Sequence, residues 1–115
     1  MIAHVVLFEP KSTTSVADRD SFLDVMRVAF EEIETVKRSF VGLRQRLGRS
    51  YESKIGDTTY SYAAVVEFDD MAGLMHYLDH PTHVRLGHLF WQLCQNTVIV
   101  DVDCFWLNDK KMVND

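Results

Sequence analysis

The order of elements along this 115-residue chain predicts an α+β fold of the ferredoxin-like kind, a four-stranded antiparallel sheet with its helices on one face. Three observations lead there. Runs with the two-residue alternation of a strand begin and end the chain and recur twice between. Stretches with apolar residues at three- and four-residue steps follow the first and the third of them. The resulting order of strand, helix, strand, strand, helix pair, strand is that of a split βαβ unit.

Ile2 to Phe8 is apolar at both parities, with Ile2, Val6 and Phe8 on one face and Ala3, Val5 and Leu7 on the other. A strand greasy on both sides belongs in the centre of a sheet, and His4 lies on the first of its faces. Glu9-Pro10-Lys11 ends it. Ser15-Val16-Ala17-Asp18 fits a capping box and opens a helix of about 17 residues, whose buried stripe is Phe22, Met26, Ala29, Phe30 and Ile33. Val36 to Leu47 reads as the second strand. Gly48 to Thr59, with its Gly56-Asp57 turn signal, reads as a mobile connection.

Tyr60 to Phe68 is the third strand, with Tyr60, Tyr62, Ala64, Val66 and Phe68 on one face. Asp69-Asp70 caps a helix carrying Met71, Leu74, Tyr77 and Leu78. A proline corner then leads into a helix with Leu86, Leu89, Phe90, Leu93 and Cys94. Val98 to Trp106 closes the domain as the fourth strand, placing Trp106 in the core or an interface together with Trp91 of the last helix. The domain is expected over 1–107, followed by a polar tail over 108–115. The sheet face away from the helices would keep large apolar side chains in water, so a second copy packed sheet to sheet is expected, making a homodimer.

Composition narrows the function. The hydrophobic fraction of 47% and charged fraction of 25% are those of an ordinary globular protein. A formal charge of −5 argues against a nucleic-acid partner, because phosphate binding needs a basic face. The basic residues Lys37, Arg38, Arg44, Arg46 and Arg49 read as a solvated strand face. Cys94 and Cys104 form no metal or redox motif and read as a reduced, partly buried pair. No secretory signal and no membrane-length apolar run is visible, so a cytoplasmic location without membrane contact is expected.

Tyr77-Leu78-Asp79-His80-Pro81-Thr82-His83 carries the candidate chemistry. Pro81 removes a backbone donor and pushes His80 toward an extended conformation, so one helix ends and the next begins there. Such a corner holds a phenol and an imidazole in fixed relation. His83 lies three residues before Leu86 and seven before Phe90, which points it along the buried stripe. An imidazole is a base near neutrality without much tuning. The bland alternative has His80 and His83 capping helix ends, His4 as a satisfied core histidine, and Tyr60 and Tyr62 as packing residues. The spacing of His76, His80, His83 and His88 invites a metal reading. Pro81 breaks the helix that would align the four, so no metal is expected. No glycine-rich phosphate loop, nucleophile elbow or pair of catalytic carboxylates is present.

With these residues in view, the chain resembles the stress-responsive dimeric α/β-barrel family, often called Dabb, over about residues 1–107. The resemblance rests on Ile2 to Phe8, on Tyr62-Ala63-Ala64-Val65-Val66-Glu67-Phe68-Asp69, and above all on Tyr77 to His83, close to the family's Y-x-x-H-P-x-H signature. It implies a dimeric α/β barrel with a pocket between sheet and helices in each subunit. Its best understood members are plant polyketide cyclases, which close a linear poly-β-ketide by intramolecular aldol condensation without metal or organic cofactor. By position Tyr77 and His83 correspond to their catalytic pair and His4 to the histidine on their first strand. Where the cyclase has a further pocket histidine, this chain has Tyr62. The implied site is therefore His83 as base, Tyr77 as its orienter and His4 or Tyr62 on the substrate oxygen, with Tyr62, His80 and Phe90 contacting a small carbonyl or aromatic compound and no cofactor. The alternatives are a non-enzymatic stress-response or ligand-binding dimer with structural histidines, and a haem- or quinol-handling monooxygenase of the kind found on related folds.

Overall fold

The computed structural model describes residues 1–55 and 59–109. Its elements are β1 (Ile2–Pro10), α1 (Val16–Glu32), β2 (Arg38–Leu43), β3 (Tyr62–Phe68), α2 (Met71–Asp79), α3 (Pro81–Leu93) and β4 (Cys94–Asp103), with short 3-10 turns at Ser50–Lys54 and Leu107–Asp109. The strands form one antiparallel sheet in the order β2-β3-β1-β4. The expected ferredoxin-like arrangement is thus observed, with β1 central. The Gly56-Asp57 turn and most of the expected tail lie outside the described residues.

Local signals set the helix starts. Ser15 Oγ accepts from the Asp18 amide at 3.0 Å, and Asp70 Oδ1 accepts from the Gly73 amide at 2.9 Å, each satisfying a first-turn donor that has no partner inside the helix. All three α-helices bury one stripe against the same sheet face. Phe22, Met26, Ala29, Leu74, Tyr77, Leu86 and Phe90 meet Ile2, Val6 and Phe8 of β1 and Tyr62, Ala64, Val66 and Phe68 of β3. Phe8 is the centre: fully buried, it lies edge-on to Phe22 and Phe90 with ring centroids 5.9 and 5.6 Å away and stacks on Tyr62 at 5.2 Å.

Strand lengths differ from the expected ones, and the reason is pairing. β4 starts at Cys94, four residues before Val98, because β1 runs on to Pro10 and supplies partners for Asn96 and Thr97 through an irregularity at Glu9/Pro10. The polar Gln95-Asn96-Thr97 reads as a loop only while its partner is unknown. β4 also ends early, at Asp103, after which the Cys104 amide donates to the Met1 carbonyl at 2.8 Å. β2 contracts from Val36–Leu47 to six residues for the same reason, since β3 begins at Tyr62 rather than Tyr60.

Two readings are corrected. Met71, expected on the α2 stripe, is exposed. Trp91 and Trp106, expected in the core or an interface, are exposed in the single chain and stand outside its core. Arg38 is not simply a solvated cation: it grips Glu67, which is only 6% exposed, by Nε and Nη2 at 2.9 Å. Lys37 pairs with Asp69 at 3.1 Å.

The outer sheet face carries aligned apolar rows, Phe40-Val65-Val5-Val100 and Gly42-Ala63-Leu7-Val98, each crossing all four strands. Phe40, Val98 and Val100 are exposed. Among the described residues, no helix is long and apolar enough to cross a membrane.

Candidate active site

The corner at Pro81 positions the site. His80 is extended (φ −65°, ψ 136°), ends α2 and caps α3, its Nδ1 accepting from the Thr82 amide at 3.1 Å. Pro81 occupies the first turn of α3, where a missing N–H costs nothing. His83, one step further along α3, turns back so that its Nδ1–H donates to the Leu78 carbonyl at 3.1 Å. That carbonyl belongs to the last turn of α2 and has no partner inside its own helix. The bond fixes the tautomer: Nδ1 holds the proton and Nε2 carries the lone pair.

His4 is fixed in the same manner from the sheet side. It is buried on the inner face of β1, directly opposite Asp101 of β4, and its Nδ1 meets Asp101 Oδ1 at 2.5 Å. Nε2 remains for the cavity that His4 lines. Tyr77 stands between the two imidazoles, edge-on to His4 at 5.9 Å and tilted against His83 at 4.5 Å. Its hydroxyl makes no hydrogen bond to a described residue. Burial pushes the Tyr77 phenol well above its usual range, so it stays protonated and can only donate or accept, not remove a proton. Burial holds the His83 imidazolium below its usual value; the Leu78 carbonyl opposes this and the charge on His4 adds to it.

These groups border a cavity of about 110 Å³ between the inner sheet face and the helices. Its floor is buried and apolar, formed by Val6, Met26, Ala64, Val66, Leu86 and Phe90. The most exposed of its lining residues are Trp91 of α3 and Ile99 of β4, which mark its open side. Two larger hollows, of about 520 and 430 Å³, lie along β2 and contain no imidazole.

Of the residues expected at the site, the fold brings His4, Tyr77, His83 and Phe90 to one cavity. It does not bring Tyr62 or His80 there. Tyr62 lines the β2 hollows instead, because its position opposite Phe8 lies at the far end of the inner face. His80 commits its Nδ1 to the α3 cap, and its ring does not line the cavity. The expected orienting role also moves: the Leu78 carbonyl, not Tyr77, sets the His83 tautomer. Asp101, Trp91 and Ile99 were missed. The signal for Asp101 was present, a carboxylate at inward parity in the otherwise apolar Val98-Ile99-Val100-Asp101-Val102, but its opposition to His4 requires the β1–β4 register.

Comparison with known proteins places this geometry in context. The model of the family described as Stress responsive A/B Barrel Domain (Dabb) matches residues 2–104. No curated protein matches the chain. Among solved structures, the protein At3g17210 of Arabidopsis thaliana is similar with a TM-score of 0.76 at 17% identity, over 92% of this chain and 97% of that one. A hydroxynitrile lyase from Passiflora edulis gives 0.74 at 16% identity, over 88% and 90%. A protein of Thermobifida fusca described as dimeric and ferredoxin-like, of unknown function, gives 0.72 at 20% identity, over 90% of each chain. At these identities the likeness is one of fold.

Proposed function

The chain belongs to the stress-responsive A/B barrel (Dabb) family, and from that premise we propose a homodimer in which each subunit's cavity performs cofactor-independent acid/base chemistry on a small carbonyl compound. The observation that supports this best is the convergence on one apolar cavity of an imidazole whose Nδ1–H is engaged, with burial disfavouring its charge, and a phenol whose hydroxyl has no partner among the described residues.

The chemistry follows from those two groups. His83 Nε2 takes a proton from a carbon flanked by carbonyls, and the electron pair moves onto the carbonyl oxygen. The Tyr77 hydroxyl donates to that oxygen as its charge grows, in an apolar surrounding where such a bond is strong. The enolate carbon then attacks a second carbonyl, forming the C–C bond of an aldol product. The resulting alkoxide recovers the proton from His83, which restores the base. His4, held by Asp101, offers the second polar position. The cavity is smaller than the roughly 150 Å³ void that admits benzene, so it encloses the reacting end of a ligand while the remainder lies at its open side.

Dimerisation is supported by the apolar rows on the outer sheet face and by the dimeric description of the Thermobifida fusca relative in fold. The rival reading, a ligand-binding dimer with structural histidines, draws on the hydrogen bonds by which His80 and His83 tie the corner.

Exchange of the α-protons of ethyl benzoylacetate in D2O, followed by NMR, separates the two. Acid/base catalysis predicts a protein-dependent rate that His83→Ala lowers by about 100-fold or more. If His83→Ala lowers the melting temperature but leaves exchange at the wild-type rate, the histidine is structural and the catalytic reading fails.

A further inference from the structure

We propose that Gly87 sets the aperture of the His83 cavity, and that the ligand it admits is a flat aryl or conjugated ketone. The inference rests on reading this cavity as the ligand site and adds its entrance and its selectivity.

Gly87 lies in the interior of α3, where glycine destabilises a helix relative to alanine. A glycine in such a place usually answers a backbone or a packing demand, and neither exists here. Gly48 is the described glycine with a positive φ, so the backbone at Gly87 is open to any residue. A Cβ built on Gly87 meets no heavy atom within 4 Å, so no neighbouring element requires the side chain to be missing. At Gly73, by contrast, a Cβ would touch Thr35, Phe68 and Asp70. What the absent side chain at Gly87 leaves is space, and that space belongs to the cavity.

Its place along α3 says which part of the cavity. His83, Gly87 and Trp91 follow at four-residue steps and share one helix face. His83 is the base; Trp91, largely exposed, marks the open side together with Ile99. Gly87 is the step between them, on the path from solvent to Nε2. The Trp91 indole stands perpendicular to Phe90, with ring centroids 5.2 Å apart, and so offers a fixed aromatic wall beside the gap. An opening bounded by an indole and a bare backbone passes a planar ring, which can stack offset on that wall. Branched or globular molecules of the same atom count gain no such contact.

The test uses Gly87→Ala and Gly87→Leu, titrated by protein NMR with acetophenone and with the larger 2-acetonaphthone. Because alanine favours the helix, Gly87→Ala is expected to raise the melting temperature by about 3–6 °C. It should keep acetophenone affinity within about threefold and weaken 2-acetonaphthone about tenfold or more. Gly87→Leu should remove binding of both while remaining folded. Wild-type affinities in Gly87→Leu overturn the proposal, as does a wild-type protein that binds neither ketone. Measuring α-proton exchange of ethyl benzoylacetate in the same samples separates this inference from the catalytic one. Binding lost in Gly87→Leu with no exchange in the wild type leaves the aperture standing and removes the acid/base reading. Exchange in Gly87→Leu equal to wild type does the reverse.

Discussion

His83, the proposed base, is subject to opposed influences on one ring. Burial disfavours its charged form most, the Leu78 carbonyl partly offsets that, and His4 adds repulsion. The net shift is downward, so the neutral base persists to lower pH than an exposed histidine would. Activity should therefore hold from neutrality into mildly acidic solution and fall only below about pH 6.5, the ordinary histidine value. The same shift sets a stability trend. The unfolded chain takes up the proton first, so stability is retained above about pH 6.5 and lost as pH falls from there through the lower folded value. Thermal melts of wild type and His83→Gln between pH 5 and 7 check this: the slope should flatten in the variant. Tyr77→Phe removes only the hydroxyl from a ring whose packing stays. It should lower kcat about 100-fold with KM little changed, as for loss of one oxyanion donor. Equal kcat in the two proteins would remove Tyr77 from the chemistry. The sequence revealed these two residues through their spacing around His80-Pro81. It could not reveal the Leu78 carbonyl, since every residue has one and only the corner geometry selects it.

The corner is the element that converts spacing into a site. His80 ends α2 with one part of its backbone and begins α3 with its ring, so the angle between the helices depends on one residue. His80→Ala should cost about 1 kcal/mol, the ordinary worth of an N-cap, while His80→Asn should retain most of it. Chemical denaturation of the three proteins checks the order; an unchanged His80→Ala would show that Pro81 alone sets the corner. Helix limits were legible because caps and stripes are local: Ser15, Asp70 and Pro81 each act within one turn of themselves. Strand limits were not, because a strand ends where its partner ends. The same polar Gln95-Asn96-Thr97 would be a loop beside a shorter β1.

At the scale of the molecule, one face of the sheet is sealed by helices and the other is open and apolar. A charge in the middle of the open face should break a sheet-to-sheet dimer while sparing the cavity on the opposite side. Val100→Asp is the chosen variant, since Val100 points outward and lies in the Phe40-Val65-Val5-Val100 row. Native mass spectrometry should show a dimer for wild type and a monomer for the variant. A monomer for both would leave the open face without its proposed cover. Acetophenone binding by Val100→Asp should stay near the wild-type level if each subunit holds a complete cavity.

The sequence by itself determined the fold class, the order and approximate place of every strand and α-helix, and the Tyr77–His83 pair. All of these follow from periodicity, caps and a proline, which act over a few residues. Only the tertiary structure decided that Asp101 stands behind His4, that Tyr62 and His80 stand apart from the cavity, and that Gly87 and Trp91 line it. Those relations depend on strand register and helix docking. A register shift of one residue would turn Asp101 to the outer face and leave His4 buried without a partner.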